Sequence, residues 1–405
     1  MNRVQQFENN FLKVFTSFYI LFAILPTFKF FPFFNYLMIF MIILFIYIYF
    51  FIDNSYFSSI ENDSLLALLV IFSFVSLAVG SRNISTGLNY LIYIHLIFSF
   101  SLFRLISKQT EVEHFLRSIL KISLIIFFVV NLITFINLLI DPYASRLAKV
   151  DEADIRLLAG IGGYNFIYAS TVLLVSMIPF LYKLQNFDKK TKLFIISFFI
   201  LGVLTVIASN FFTALLILLI GAYFFYLQHK PIQALLLFFA CLIVAIFMIP
   251  IFEELIGISS MNFLKLLEVS SLLQDGDVGS YTYGRIDRYE EGLYGIQNYT
   301  LFGMMNEGLN VIRNYGYSQH SALLDSVSLY GIFLGLAGFV ILLYPFNSLK
   351  IKSKILRNSF RASIAAYLVI LCLNVNTIDI MVTMFLIIPV FLKYMDNILI
   401  KYEKK

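Results

Sequence analysis

Apolar blocks of roughly 15 to 25 residues recur from one end of the chain to the other, with short polar stretches between them. Hydrocarbon offers no water to unpaired backbone N–H and C=O groups, so blocks of this length predict helices that cross a bilayer. They lie near 11–25, 36–52, 64–80, 88–106, 119–140, 162–182, 193–208, 211–227, 232–251, 320–345, 361–374 and 378–395. The pattern predicts an all-α, polytopic integral membrane protein of about twelve transmembrane helices, built as a single membrane domain over residues 1–405. Blocks seven and eight could instead form one re-entrant hairpin. The first block follows a short polar N-terminus without a small-residue cleavage site, which predicts a retained helix rather than a signal peptide.

Two polar segments are long enough to do more than connect helices: 141–161, and 253–319 between spans nine and ten. The longer one contains "GRIDRYEEGLYGIQ", where helical spacing puts Arg285, Tyr289, Leu293 and Ile296 on one face and Arg288 on its edge. This predicts an amphipathic helix lying at the membrane surface. No internal repeat of about 20 to 50 residues accompanies it.

Composition excludes an ordinary soluble domain, since 60% of the 405 residues are hydrophobic and 13% charged. Basic residues assign the sides. With both termini cytoplasmic, 20 of the 29 Lys and Arg residues fall inside, and Lys29, Arg82, Arg146, Lys149, Arg156, Lys265, Arg285, Arg288 and Arg313 fall outside. The acidic inner loop "DNSYFSSIEND" gives this orientation no support. The net charge of +5 reflects inner basic residues facing an anionic leaflet and carries no argument for nucleic acid. Cys241 and Cys372 fall inside spans, so neither a disulfide framework nor a metal cluster is expected.

Arginine is the informative outer residue, because it stays charged and its planar fork grips phosphate oxygens in pairs. Arg156, Arg285 and Arg288 each lie close to a span, at the level of a lipid-linked phosphate. Each could equally pair with Asp151, Asp154, Asp287, Glu290 or Glu291 nearby. His320 has the near-neutral intrinsic pKa of a general base for a sugar hydroxyl; as the N-terminal residue of a helix it could equally be simply exposed. Ser321, Asp325 and Ser328 continue as a polar stripe that should face the bundle interior. Gly331, Gly335 and Gly338 form a small-residue face expected to admit another helix. Asp275–Asp277 reads as a turn rather than a metal site, and His95 and Asp379 as core hydrogen-bonding residues.

Three motifs, in this order and on this side, resemble the bacterial O-antigen and capsular polysaccharide polymerases and O-antigen ligases. "IRLLAGIGGYNFIYAS" is similar to that family's arginine, glycine and asparagine before a span, at Arg156, Gly160 and Asn165. "GRIDRYEEGLYGIQNYTLFG" matches a Gly-Arg, an aromatic residue and a later Asn-x-x-x-x-Gly turn, at Arg285, Tyr289, Asn298 and Gly303. "QHSALLDSVSLYGIFLG" matches a histidine opening a glycine-bearing helix, at His320 and Gly331. The chain departs from the family at Tyr289 (commonly Trp), Ser321 (commonly Asn) and Asn210 (commonly Arg).

The resemblance implies a GT-C-like membrane glycosyltransferase in the bacterial cytoplasmic membrane. It would polymerise polysaccharide repeat units at the outer (periplasmic) face, moving glycan from undecaprenyl diphosphate to a sugar hydroxyl of another lipid-linked unit. Arg156, Arg285 and Arg288 would stabilise charge on the diphosphate leaving group, without metal or soluble cofactor. His320 would position or deprotonate the acceptor hydroxyl, with Asp325, Glu290 or Glu291 as substitutes, and Asn165 and Tyr289 would contact substrate. Apolar helix walls would hold the lipid tails, and a repeat-unit flippase and chain-length regulator would be partners. A ligase delivering polymer to lipid A core and a polysaccharide or lipid transporter are the alternative readings.

Overall fold

The computed structural model describes residues 3–31, 33, 37–38, 40–42, 95–96, 98–107, 112–146, 155–183, 188–233, 235–236, 239, 280–304, 321–343, 349, 351–374 and 377–403. Among these, every regular element is a helix. In chain order they are α1 (Arg3–Ile24), α2 (Pro26–Phe30), α3 (Phe98–Ser107), α4 (Val112–Ile140), α5 (Tyr164–Lys183), α6 (Lys189–Ala208) and α7 (Phe212–His229). There follow α8 (Ser280–Asn298), α9 (Ala322–Leu343), α10 (Lys354–Leu373), α11 (Ile378–Val382), a π-helical stretch (Thr383–Ile387) and α12 (Ile388–Glu403). Among the described residues, four helices are each long and apolar enough to cross a membrane: α4, α6, α10 and the continuous run Ile378–Leu399. The chain is therefore a helical membrane protein. The spans expected at 64–80 and over most of 232–251, the segment 253–279 and His320 lie outside the described residues.

The bundle is organised around α5, which packs against α6, α7 and α10, while α4 packs against α1, α6 and α12. Small residues permit the close approaches. A Cβ added to Gly202 of α6 would lie 2.8 Å from Leu174, and one added to Gly221 of α7 would lie 2.5 Å from Val175. Polar groups inside the bundle are paired across helices: Asn131 of α4 donates to Ser170 of α5 (3.1 Å), and the Asn131 carbonyl accepts from Thr205 of α6 (3.3 Å). His95 behaves as a core hydrogen-bonding residue, with its Nδ1 3.0 Å from the Tyr19 hydroxyl of α1. The tight turn Ser209–Phe211 separates α6 and α7 into helices of 20 and 18 residues, each about 27 to 30 Å long at 1.5 Å per residue. Of the two, α6 is long and apolar enough to cross a membrane, and α7 is a shorter apolar helix.

Asp396 fixes the far end of α10. Its buried carboxylate accepts from the backbone amides of Lys352 (3.0 Å) and Ser353 (2.8 Å), two donors that precede the helix. A cap from a different helix ties α12 to α10. Asp396→Ala should lower stability by about 2 kcal/mol, and Asp396→Asn by less, measured as a shifted unfolding midpoint in mixed detergent micelles.

The segment expected to cross as one helix from 320 to 345 does not run straight. Gly331 interrupts α9 with φ 79° and ψ 171°, a conformation essentially restricted to glycine. The chain then folds back: a Cβ on Gly335 would lie 2.6 Å from both Ser326 O and Val327 Cα, nine and eight residues earlier. In a continuous helix those residues would be about 12 Å or more apart. The expected small-residue face thus admits the other half of its own helix, and hydropathy alone could not distinguish the two.

A turn from the preceding helix locks this break. Gly303 (φ 74°) closes the turn after α8, and an added Cβ there would lie 2.2 Å from Leu329 O and 2.4 Å from Gly331 N. Reciprocally, one on Gly331 would lie 2.1 Å from Leu301 O, and the Ile332 amide donates to Thr300 O at 2.7 Å. Gly295 of α8 sits against Ser328 and Met304. The helix expected over "GRIDRYEEGLYGIQ" is present, but its buried edge carries Gly292 and Gly295, and Leu293 points outward at 45% exposure. Two motifs that are separate in sequence are one packed unit.

Candidate functional site

The ends of several helices meet around a cavity of about 440 Å³ lined by Lys29, Ser145, Arg146, Arg156, Asp379 and the first turn of α5, among others. Sequence predicts Arg156 and Asn165 here, and the structure brings both to this wall. Arg156 lies in the helical turn at 155–158, which ends in a Schellman motif: Gly160 has φ 74°, its amide donates to Leu157 O (3.0 Å), and the Ile161 amide donates to Arg156 O (3.1 Å). The chain is then tethered to α4 through the Gly162 amide on Thr134 Oγ1 (2.7 Å). The arginine, the glycine and the start of α5 therefore form one short, fixed segment.

Arg156 donates from Nη1 to Ser145 O (2.7 Å), and its Nε is buried without a hydrogen-bond partner among the described residues. Its guanidinium lies against Gly163, where an added Cβ would come within 3.0 Å of Nη2. Burial pushes its pKa below the ordinary arginine value, yet a guanidinium keeps its proton at working pH. Arg146 donates to Asn210 O and stacks on Phe211, with Cζ 5.1 Å from the ring centroid. Asn210, with φ 56°, holds the turn between α6 and α7, and the Arg146 guanidinium reaches it from the 141–146 segment.

Lys29, in the last turn of α2, forms an ion pair with Asp379 at the start of α11. The Asp379 side chain is only 2% exposed, and its second oxygen is buried without a partner among the described residues. Sequence reasoning assigned Asp379 a core hydrogen bond and left Lys29 and Arg146 as unassigned outer cations. The available signal was an acidic residue at the edge of an apolar block, which in a membrane is expensive unless it is paired or used.

Three cations and one carboxylate thus line a single cavity at the amide end of a 20-residue helix, where the helix dipole adds further positive potential. Such a site attracts an anion and supplies donors for it.

The other predicted residues are placed differently. Arg285, Tyr289, Arg288 and Glu290 belong to α8. Arg288 is 46% exposed and pairs with Glu291 at 3.0 Å, Glu290 is exposed, and Tyr289 is half-buried. Arg288, Tyr289 and Glu290 do not line this cavity. Ser321, Asp325 and Ser328 are buried as the stripe predicts, and Ser328 Oγ contacts Met304 Sδ at 3.2 Å. The stripe packs against neighbouring protein and does not line this cavity. The start of α9, directly after His320, is linked to the cavity through Asn374. The Ala322 amide donates to Asn374 O (3.0 Å), and the Asn374 side chain accepts from the hydroxyl of Tyr164, a lining residue.

Fold and site define a helical membrane protein with a cationic cavity where its helices end. No family model matches the chain, and no curated protein matches it.

Proposed function

We propose that the protein is a polysaccharide polymerase: a metal-independent membrane glycosyltransferase of about twelve spans that joins lipid-linked repeat units at the outer face of the bacterial cytoplasmic membrane. The observation that carries this reading is the convergence of Lys29, Arg146 and Arg156 on the cavity at the amide end of α5. A glycosyl diphosphate donor develops negative charge on its bridging oxygen as the sugar leaves, and fixed guanidinium groups stabilise that charge more than they stabilise the ground state. Exposed apolar side chains on the surrounding helices, including Leu139, Ile140 and Ile207 near the cavity end, supply a surface for the polyprenyl tail. The ends carrying Lys189, Lys190, Lys192, Lys352 and Lys354 lie away from the cavity, which favours an outward-facing site by the positive-inside rule.

In this reading Arg156 and Arg146 hold the diphosphate. His320, which precedes α9 in the chain, activates the acceptor hydroxyl, and Arg285 of α8 is the further arginine assigned to the donor. The test is deletion of the gene in its host, with complementation by wild type, Arg285→Ala or His320→Ala at matched expression. Deletion should leave single repeat units on the lipid anchor. Wild type should restore a ladder on a gel of extracted polysaccharide, and neither variant should. Full polymer accumulating on the lipid diphosphate would identify a ligase instead, and an unchanged ladder on deletion would overturn both.

A further inference from the structure

Asp379 is out of place in a cavity that only has to hold a phosphate. Its Oδ1 is committed to Lys29, and its buried Oδ2 has no hydrogen-bond partner among the described residues, in a wall that also carries Arg146 and Arg156. Toward a bare phosphate that oxygen is repulsive and stays unsatisfied. Toward an anion that also carries hydroxyl groups it becomes an acceptor, and the remaining polar atoms fit the same ligand. Arg156 Nε and Ser145 Oγ are both buried in the cavity wall and unpartnered among the described residues. The set therefore combines donors for a phosphate with an acceptor for an adjoining hydroxyl.

We propose that Asp379 is a specificity-determining residue of this cavity: its Oδ2 accepts a hydrogen bond from a sugar hydroxyl next to the phosphate, so the site takes sugar phosphates and discriminates against simple phosphate esters. Lys29 holds the carboxylate in that orientation. The inference rests on the glycosyl-diphosphate reading and adds to it the group that recognises the sugar. Discrimination arises because a ligand without the hydroxyl leaves a buried carboxylate oxygen unpaired beside its own negative charge.

The test uses the full chain purified in detergent and calorimetric titration with methyl phosphate and with the 1-phosphates of glucose, galactose and N-acetylglucosamine. Wild type should bind at least one sugar phosphate about ten-fold or more tighter than methyl phosphate. Asp379→Asn should erase most of that ratio and bind methyl phosphate as well as wild type or better. Should Asp379→Asn fail to fold, the double variant Lys29→Ala/Asp379→Ala removes both charges and leaves neither buried and unpaired. It should lose the same discrimination. The proposal is overturned if wild type binds no phosphate, binds methyl phosphate as tightly as every sugar phosphate, or if either folded variant keeps the ratio. Loss of the ratio alongside a polysaccharide that ignores gene deletion would defeat the polymerase reading and leave the sugar-phosphate site standing. Retention of the ratio alongside a ladder that depends on the wild-type gene would defeat only the role of Asp379.

Discussion

Arg156→Ala should reduce the proposed repeat-unit polymerisation by about two to three orders of magnitude, the usual consequence of removing one fixed donor from a site where charge develops. The side chain is half-buried on a segment held by the Schellman turn at Gly160 and the tether of Gly162 to α4, so its donors are fixed in the cavity wall. Its hydrogen bond to Ser145 O contributes to stability as well, at about 1.5 to 3 kcal/mol for a charged donor. The folded fraction is therefore measured alongside, by size-exclusion of the detergent-solubilised protein. Arg156→Lys keeps the charge, loses the planar fork and should give intermediate activity. A folded Arg156→Ala protein that still produces a full ladder would remove the cavity from the reaction.

The second large effect is structural. Gly331→Ala should cost about 3 kcal/mol or more, because the residue combines a backbone conformation that only glycine adopts readily with an added Cβ 2.1 Å from Leu301 O. Backbone atoms cannot rotate away as the end of a flexible side chain can. The turn at 299–303 would be expelled from the break in α9, releasing α8 and the start of α9 from their common support. Limited proteolysis should then cut within 280–304 far faster than in wild type. Gly303→Ala, facing Leu329 O at 2.2 Å, should do the same. Leu336→Ala, on a residue 45% exposed, should leave the pattern unchanged. A Gly331→Ala variant as resistant as wild type would show that the glycine lock does not hold α8.

Much of the helical framework is legible from residue type alone, because a bilayer removes the alternatives. Apolar blocks such as 119–140 and 193–208 become helices since no other open structure satisfies their backbone in hydrocarbon. Their ends are less legible: α4 begins seven residues before its apolar block. The segment around Arg156 could also be read, since arginine, glycine and the start of a helix lie within ten residues and their geometry is local.

What sequence could not supply was any feature made by distant residues. Lys29 and Asp379 are 350 positions apart, and nothing in either local pattern names the other. Arg146 reaches the turn at Asn210 across 64 positions and becomes part of the cavity only there. Gly331 reads as one more small residue on a helix, because composition does not record whether a second glycine at 303 is waiting opposite it. Hydrophobicity is a property of each residue against its solvent, so the sequence by itself determined that the chain forms membrane helices and where most of them run. Charge pairing and steric fit are properties of two residues at one place. Only the tertiary structure could decide which cations share a cavity and which helix breaks to receive a turn.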